Sequence, residues 1–375
     1  MQSNSKIYPD PQLQSREKCI VSVLLLFLLT SLYAHGQQAT GKDLQELNKQ
    51  AREQAQSYID DIRPKLFADL PPNEKQIYDR IKFRLTEDNA AWETGGSVND
   101  HGDRFISLDV GYVRKIEMLA EAVRLEGSTK HEVLIPYIGY VARSLNERKT
   151  YIKSPASFIG MSMSEIDKLD EPSPEKRQMI AMIANSIAFV LAHEVGHHVL
   201  GHYEHPAEGD MERSRQMESE ADAWALKRCV KAHVSPLGGM LPIIFDYYTT
   251  AYPVKSERKN DHPADVRRLR AMYTAMLDSL PGFRAEIEAQ GVSYSAFRAA
   301  AKRQLDEYDW QLTSGHSVAY DDSMSPFEAC MQRRVWGCMR DCIDHYDYSV
   351  AECGNRLCNP DSNTNWAERC RRLAK

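Results

Sequence analysis

The stretch His193-Glu194-Val195-Gly196-His197 carries most of what a hydrolytic metal site needs. Residues i and i+4 of a helix share a face, so both imidazoles can reach one cation. Glu194 sits beside them, where its carboxylate can take a proton from a coordinated water. Zinc lowers the pKa of such a water from about 15.7 to about 7, which supplies a nucleophile at neutral pH. Catalytic zinc needs three protein ligands and one open position. His202 would be the third ligand in the longer HExxHxxGxxH pattern, but that pattern requires glycine at 200 and histidine at 203. The chain has Leu200 and Tyr203. On a continuing helix His202 also points roughly opposite His193, so it is excluded as a ligand. His198 and His202 are themselves spaced i, i+4, and polar packing is expected of them in preference to a second metal.

The better third ligand lies on the next helix. Residues 204–210 read as a loop, and a helical stretch follows from about Met211 to His233. Within it, Glu218 and Asp222 share a face. Glu218 can therefore ligate zinc, while Asp222 accepts a hydrogen bond from a ligand imidazole. Glu220, two residues from each, is expected to point elsewhere.

The helix bearing the histidines must be internal. Ser173 and Pro174 supply a capping residue and a proline at the first helical position. Ile180, Ile183, Ala184, Ile187, Val190, Leu191 and Val195 then recur at three- and four-residue steps, as a core-facing helix requires.

HExxH at 193–197, ExxAD at 218–222 and His262-Pro263 followed by Arg268 together resemble the gluzincin metallopeptidases of the HtpX and CAAX-prenyl-protease type. The resemblance covers about residues 90–275. It implies His193, His197 and Glu218 as ligands to one zinc ion, Glu194 as general base and Asp222 as support behind the ligands. It also implies that His262 and Arg268 approach the substrate carbonyl or the metal, where either would help stabilise the oxyanion. In some relatives the His-Pro histidine can instead occupy the fourth zinc position and hold the enzyme latent. Family members carry a strand followed by a glycine pair before the active helix. Here Gly95-Gly96 precede the alternating run Ile106, Leu108, Val110, Tyr112, which reads as a half-buried strand. That strand is either purely structural or the edge to which an extended substrate peptide adds.

The ends of the chain speak to location. Lys6, Arg16 and Lys18 precede an apolar run from Ile20 to Leu32, and Ala34-His35-Gly36 offers small residues at a cleavage site. This is a signal peptide over 1–36; the run is short for a membrane span, which needs about 20 residues, and an uncleaved anchor is the alternative. Cys19 precedes the run and is not placed as a lipoprotein cysteine. Of eight cysteines, six (Cys330, Cys338, Cys342, Cys353, Cys358 and Cys370) fall in the last 46 residues, which implies three disulfides in an exported chain. A nested pairing is expected: Cys342 with Cys353, Cys338 with Cys358, Cys330 with Cys370. The gaps do not form the two CxxC-like pairs of a zinc ribbon. Cys229 is expected as a buried free thiol.

The net charge of −6 becomes −7 once a leader with three basic and two acidic residues is removed. Together with the lack of a phosphate-binding glycine loop or basic stripe, this argues against nucleic-acid binding. No segment beyond the leader reads as a membrane span; the apolar stretch from Pro236 to Pro253 is short and reads as a core or cleft-wall helix. That separates the chain from integral-membrane relatives and places it nearer the periplasmic BepA-like branch, whose C-terminal helical repeats it lacks.

The expected fold is α+β and mainly α-helical: a zincin-like metallopeptidase core with a small β-sheet, plus a C-terminal disulfide-rich helical module. The expected divisions are the signal peptide, an N-terminal helical region over 37–90, a zinc metallopeptidase domain over 91–290, a helix and linker over 291–325, and the cysteine module over 326–375. Gly41 to Arg84 reads as charged amphipathic helix broken at Pro64 and at Pro71-Pro72. Further helices are expected over Arg114–Leu125, Val133–Lys149, Asp265–Leu280 and Tyr294–Leu312. The function that follows is an exported zinc metalloendopeptidase acting on polypeptides, in misfolded or envelope proteins, with envelope partners engaged through the C-terminal module. Two readings of other classes are a metal-dependent chaperone or scaffold for outer-membrane protein assembly, and a secreted binding protein whose metal is only structural.

Overall fold

The computed structural model describes residues 41–87, 94–99, 101–129, 133–146, 152–249, 263–289 and 292–314. The expected signal peptide, His262 and the six cysteines of the tail lie outside the described residues. Among the described residues the chain is mainly helical with one three-stranded sheet, an α+β arrangement.

Helix α1 (Gly41–Leu66) opens the chain and runs through Pro64, ending two residues later. Pro64 falls in the last turn, where its missing N–H leaves the Asp60 carbonyl without a helical donor, and the helix stops two residues on. After the short α2 (Pro72–Tyr78) comes a strand where helix was expected: β1 (Ile81–Thr86). Ile81, Phe83 and Leu85 alternate with Lys82 and Arg84, the period of a strand with one covered face. Strands β2 (Thr94–Val98) and β3 (Arg104–Asp109) complete the sheet, in the order β1-β3-β2. β1 runs parallel to β3 from the pair Ile81 and Arg104 to the pair Thr86 and Asp109. β2 runs antiparallel to β3, with Gly95 opposite Ser107 and Gly96 opposite Ile106. The glycine pair thus lies inside a strand of its own, and the sheet bridges the expected division at residue 90.

β3 is the central strand. It cannot be the edge that receives an added peptide, because both of its sides are already paired. It also stops before the expected Tyr112. Asp109 accepts hydrogen bonds from the Gly111 N–H at 2.8 Å and the Thr86 hydroxyl at 3.1 Å. A carboxylate taking the second amide of the following turn satisfies a helix start, so α3 (Val110–Thr129) begins at once. Val110 and Tyr112 are buried from that helix instead of from the strand.

Helices α4 (Leu134–Asn146), α5 (Pro155–Phe158) and α6 (Met163–Asp170) lead to the central helix α7 (Pro174–Val199). As its sequence predicts, Ser173 caps α7 by accepting from the Lys176 N–H at 3.1 Å, with Pro174 in its first turn. By length and composition α7 could cross a membrane, contrary to the sequence reading, but 67% of its most apolar window is buried within the fold. It is the core helix. α8 (Met211–Lys231) packs along it, followed by a 3-10 turn (Pro236–Gly239), α9 (Met240–Thr249) and α10 (Asp265–Ser279). A second 3-10 turn (Leu280–Phe283), α11 (Arg284–Ala289) and α12 (Tyr294–Ser314) follow.

One core cluster joins Tyr58 and Ile59 of α1, Ile106 and Leu108 of β3, Ile116 of α3, Leu191 of α7 and Leu269 of α10. The N-terminal helix is therefore part of the same body as the candidate site. Its end is tied to α8: the Arg228 Nε donates to the Leu66 carbonyl at 2.6 Å, and Arg228 and Lys231 both pair with Asp69. Cys229 is fully buried and free, and burial pushes its thiol up to about 12.

Candidate metal centre

Two helices must approach closely for a side chain of one to meet the histidines of the other. Gly196, inside the HExxH stretch, permits this. A Cβ there would lie 3.3 Å from the Trp224 ring and 3.4 Å from the Ala221 carbonyl of α8. The contact brings the acidic turn of α8 against the last turns of α7. His193 Nε2 and His197 Nε2 stand 3.1 Å apart. Glu218 sets Oε2 at 3.2 Å from the first and Oε1 at 3.4 Å from the second. Among the described residues these three form the one group of at least three His, Cys, Asp or Glu that could hold a metal ion. Ligand bonds of about 2.0–2.1 Å at tetrahedral angles put donor atoms about 3.3 Å apart. His193 faces one carboxylate oxygen of Glu218 and His197 the other, and one atom from each residue lies within 4.8 Å of the other two, close enough to share such a cation.

Behind the donors stands a chain of support. Asp222 Oδ1 faces His193 Nδ1 at 2.9 Å, which fixes the ring with Nε2 toward Glu218. Arg268 of α10 then grips Asp222 with two of its nitrogens, Nε to Oδ2 at 2.7 Å and Nη2 to Oδ1 at 2.9 Å. Arg268, expected to approach the metal or substrate, has Nε and Nη2 engaged on Asp222, behind His193. Burial opposes ionisation of Asp222, but the Arg268 charge and the hydrogen bonds from His193 and Arg268 hold it well below the usual carboxylate range. Burial lowers the proton affinity of His193, yet hydrogen bonds to Asp222 and Glu218 overcome it and carry the imidazole up to about 10. The pocket favours positive charge at this point.

Glu194 is buried and points its Oε2 at the Tyr203 hydroxyl, which donates to it at 3.1 Å. That hydroxyl in turn accepts from the Gly96 N–H of β2 at 3.0 Å. The phenol thus ties the sheet to the carboxylate. His198 is no metal ligand. Its Nε2 donates to the Phe105 carbonyl at 3.0 Å, and burial pushes it down to about 4, so it packs as a neutral ring. His202 likewise stays out of the metal group. It lies behind His197, with Nδ1 to Nδ1 at 3.0 Å, and its Nε2 faces Glu220 at 3.1 Å.

Helix periodicity alone hides the places of His202 and Tyr203, because α7 does not continue through them. It ends in a left-handed turn at Gly201, with φ of +76°. There the Gly201 N–H reaches the His198 carbonyl and the His202 N–H the His197 carbonyl, closing the helix and folding 202 and 203 back onto it. Glycine at 201 was the available signal.

Near the site, Asp265 at the start of α10 is 1% exposed, and its Oδ2 has no hydrogen-bond partner among the described residues. Burial, aided by the charges of Asp246 and Asp222, pushes it up to about 8. The folded chain therefore keeps a proton that the unfolded chain loses above about pH 4, so stability falls as pH rises from about 4 to 8. Asp265→Asn should remove that slope. Melting curves should coincide with wild type near pH 4 and lie several degrees higher at pH 8, where the wild type has lost the linked stability. Equal melting temperatures at pH 8 would refute it.

Residues 143–277 match the family model of Peptidase U49. The matched span runs from α4 to α10 and takes in the two histidines, Glu194, Glu218, Asp222 and Arg268. The match supports a proteolytic function in general, and it does not single out the HtpX or CAAX-prenyl-protease type. No curated protein and no solved structure matches the chain.

Proposed function

We propose that this protein is a zinc-dependent metalloendopeptidase with a gluzincin-type site, in which His193, His197 and Glu218 hold one zinc ion. The observation that carries the proposal is the set of donor separations, 3.1, 3.2 and 3.4 Å, with the Glu194 carboxylate on the same helix turn. When bound, zinc supplies Lewis acidity that activates water and polarises the scissile carbonyl. Glu194 takes the proton of the attacking water and hands it to the departing amine. Tyr203 holds the Glu194 carboxylate from one side, so the base keeps one orientation through both transfers. Asp222, itself oriented by Arg268, keeps the Nδ1 proton on His193, so a cation at Nε2 would replace the proton that the metal-free ring holds there. His262, outside the described residues, is proposed to approach the site as a catalytic or latency residue.

The leader sequence and the cysteine-rich tail support export to the periplasm or beyond, with misfolded or envelope polypeptides as substrates and the tail as the contact for envelope partners. Metal removal tests the central reading. Protein treated with 1,10-phenanthroline should stop degrading unfolded casein, and one equivalent of zinc per chain should restore the activity. Undiminished degradation by metal-depleted protein would sink the proposal.

A further inference from the structure

The three acidic residues of the 218–222 turn serve three histidines, and one of those pairings has no place in the site as read from motifs. Glu218 faces the two metal-facing nitrogens, Asp222 backs His193, and Glu220 reaches His202, which in turn backs His197. We propose that His202 and Glu220 are positioning residues for the metal ligand His197, doing for it what Asp222 does for His193. The proposal rests on the metallopeptidase reading of the site.

Proton counting carries it. His197 and His202 face each other Nδ1 to Nδ1 at 3.0 Å, so one of these atoms must carry hydrogen and the other must not. The Nε2 of His202 lies 3.1 Å from the Glu220 carboxylate, an acceptor, so it carries the proton of that ring. Its Nδ1 is then the acceptor, and the Nδ1–H of His197 donates to it. That leaves His197 Nε2 bare, on the side where His193 Nε2 and Glu218 stand. A metal ligand needs that tautomer. The rings meet edge to face, with centroids 4.9 Å apart at 76°, and His202 is 2% exposed, so neither ring has room to turn. Glu220 is fixed from its own helix. Gln216 Nε2 donates to Oε1 at 2.8 Å and Arg213 lies 3.9 Å from the same oxygen, leaving Oε2 for His202.

The test is zinc affinity by competition with a chromophoric chelator, together with the visible absorption of the cobalt(II)-substituted protein. His202→Leu should weaken zinc binding about 10–100-fold and change the cobalt spectrum, the effect expected when the partner behind a ligand histidine is lost. His202→Gln, whose amide oxygen can accept from Nδ1, should recover most of the affinity. Glu220→Leu, at a partly exposed position, should fold normally and lose about ten-fold. Wild-type affinity in His202→Leu and Glu220→Leu would overturn the inference and leave the site reading intact. Equal weakness of the Leu and Gln variants at 202 would also overturn it, because packing alone would then be at stake. Should His202→Leu fail to fold, Glu220→Leu decides. Failure of the wild type to bind zinc would sink the metallopeptidase reading itself.

Discussion

Glu194→Gln is expected to keep one zinc per chain and lose about two to four orders of magnitude in kcat, the usual contribution of a placed general base. The substitution is chosen for what it preserves. Glu194 is not one of the three residues grouped for the metal, so affinity for zinc should not change. The amide oxygen of glutamine can still accept the Tyr203 hydroxyl, now at 3.1 Å from the carboxylate, so the link from β2 through Tyr203 to α7 survives. What disappears is the ability to take a proton at neutral pH. Because the lost step is chemical, KM for a quenched fluorescent peptide should stay near wild type while kcat falls. Metal content by atomic absorption and initial rates on one preparation separate the two effects. A variant with wild-type kcat would move the base to another group.

Much of this site was readable because its parts obey the period of a helix that does not change along its length. The pairs His193 with His197 and Glu218 with Asp222 need only i, i+4 spacing, and Ser173-Pro174 announces the helix that bears the first pair. The sheet was harder. Ile81, Phe83 and Leu85 do alternate, but Lys82 and Arg84 between them match the charged helix before them, and only pairing with β3 makes that segment a strand. Phe105 shows what those cations do, since the Arg84 guanidinium lies over its ring at 3.5 Å. β3 was placed in sequence without its neighbours, so its central position could not be seen. A strand's place in a sheet depends on partners distant in sequence. His202 stands outside the metal group as expected, but the helix reasoning behind that exclusion does not hold. Its exclusion as a ligand assumed an unbroken helix, whereas the turn at Gly201 brings it against the back of His197. The role of Arg268 was invisible for a related reason. Sequence gives a motif residue's identity, while its orientation toward Asp222 depends on how α10 crosses α8.

That crossing sets up the second large effect. Asp222→Ala should cost the protein twice, in metal affinity and in stability. Losing the acceptor behind His193 should weaken zinc binding about 10–100-fold. Independently, the variant strands the Arg268 guanidinium, which is 11% exposed and has both Nε and Nη2 on Asp222. Removing one partner of a buried ion pair costs about 3–5 kcal/mol, because the other charge is left uncompensated. For a domain of this size, that lowers the melting temperature by about 10 °C. The two losses have different origins, and a second change should divide them. Asp222→Ala combined with Arg268→Leu removes the stranded charge and fills its volume with an apolar side chain, so the melting temperature should return most of the way. Zinc affinity should not return, because nothing holds the His193 ring. If the double variant recovers both, Asp222 serves only to neutralise Arg268 and the ring is held by other means. If the single variant binds zinc as tightly as wild type, the 2.9 Å contact between Asp222 and His193 plays no part in forming the site.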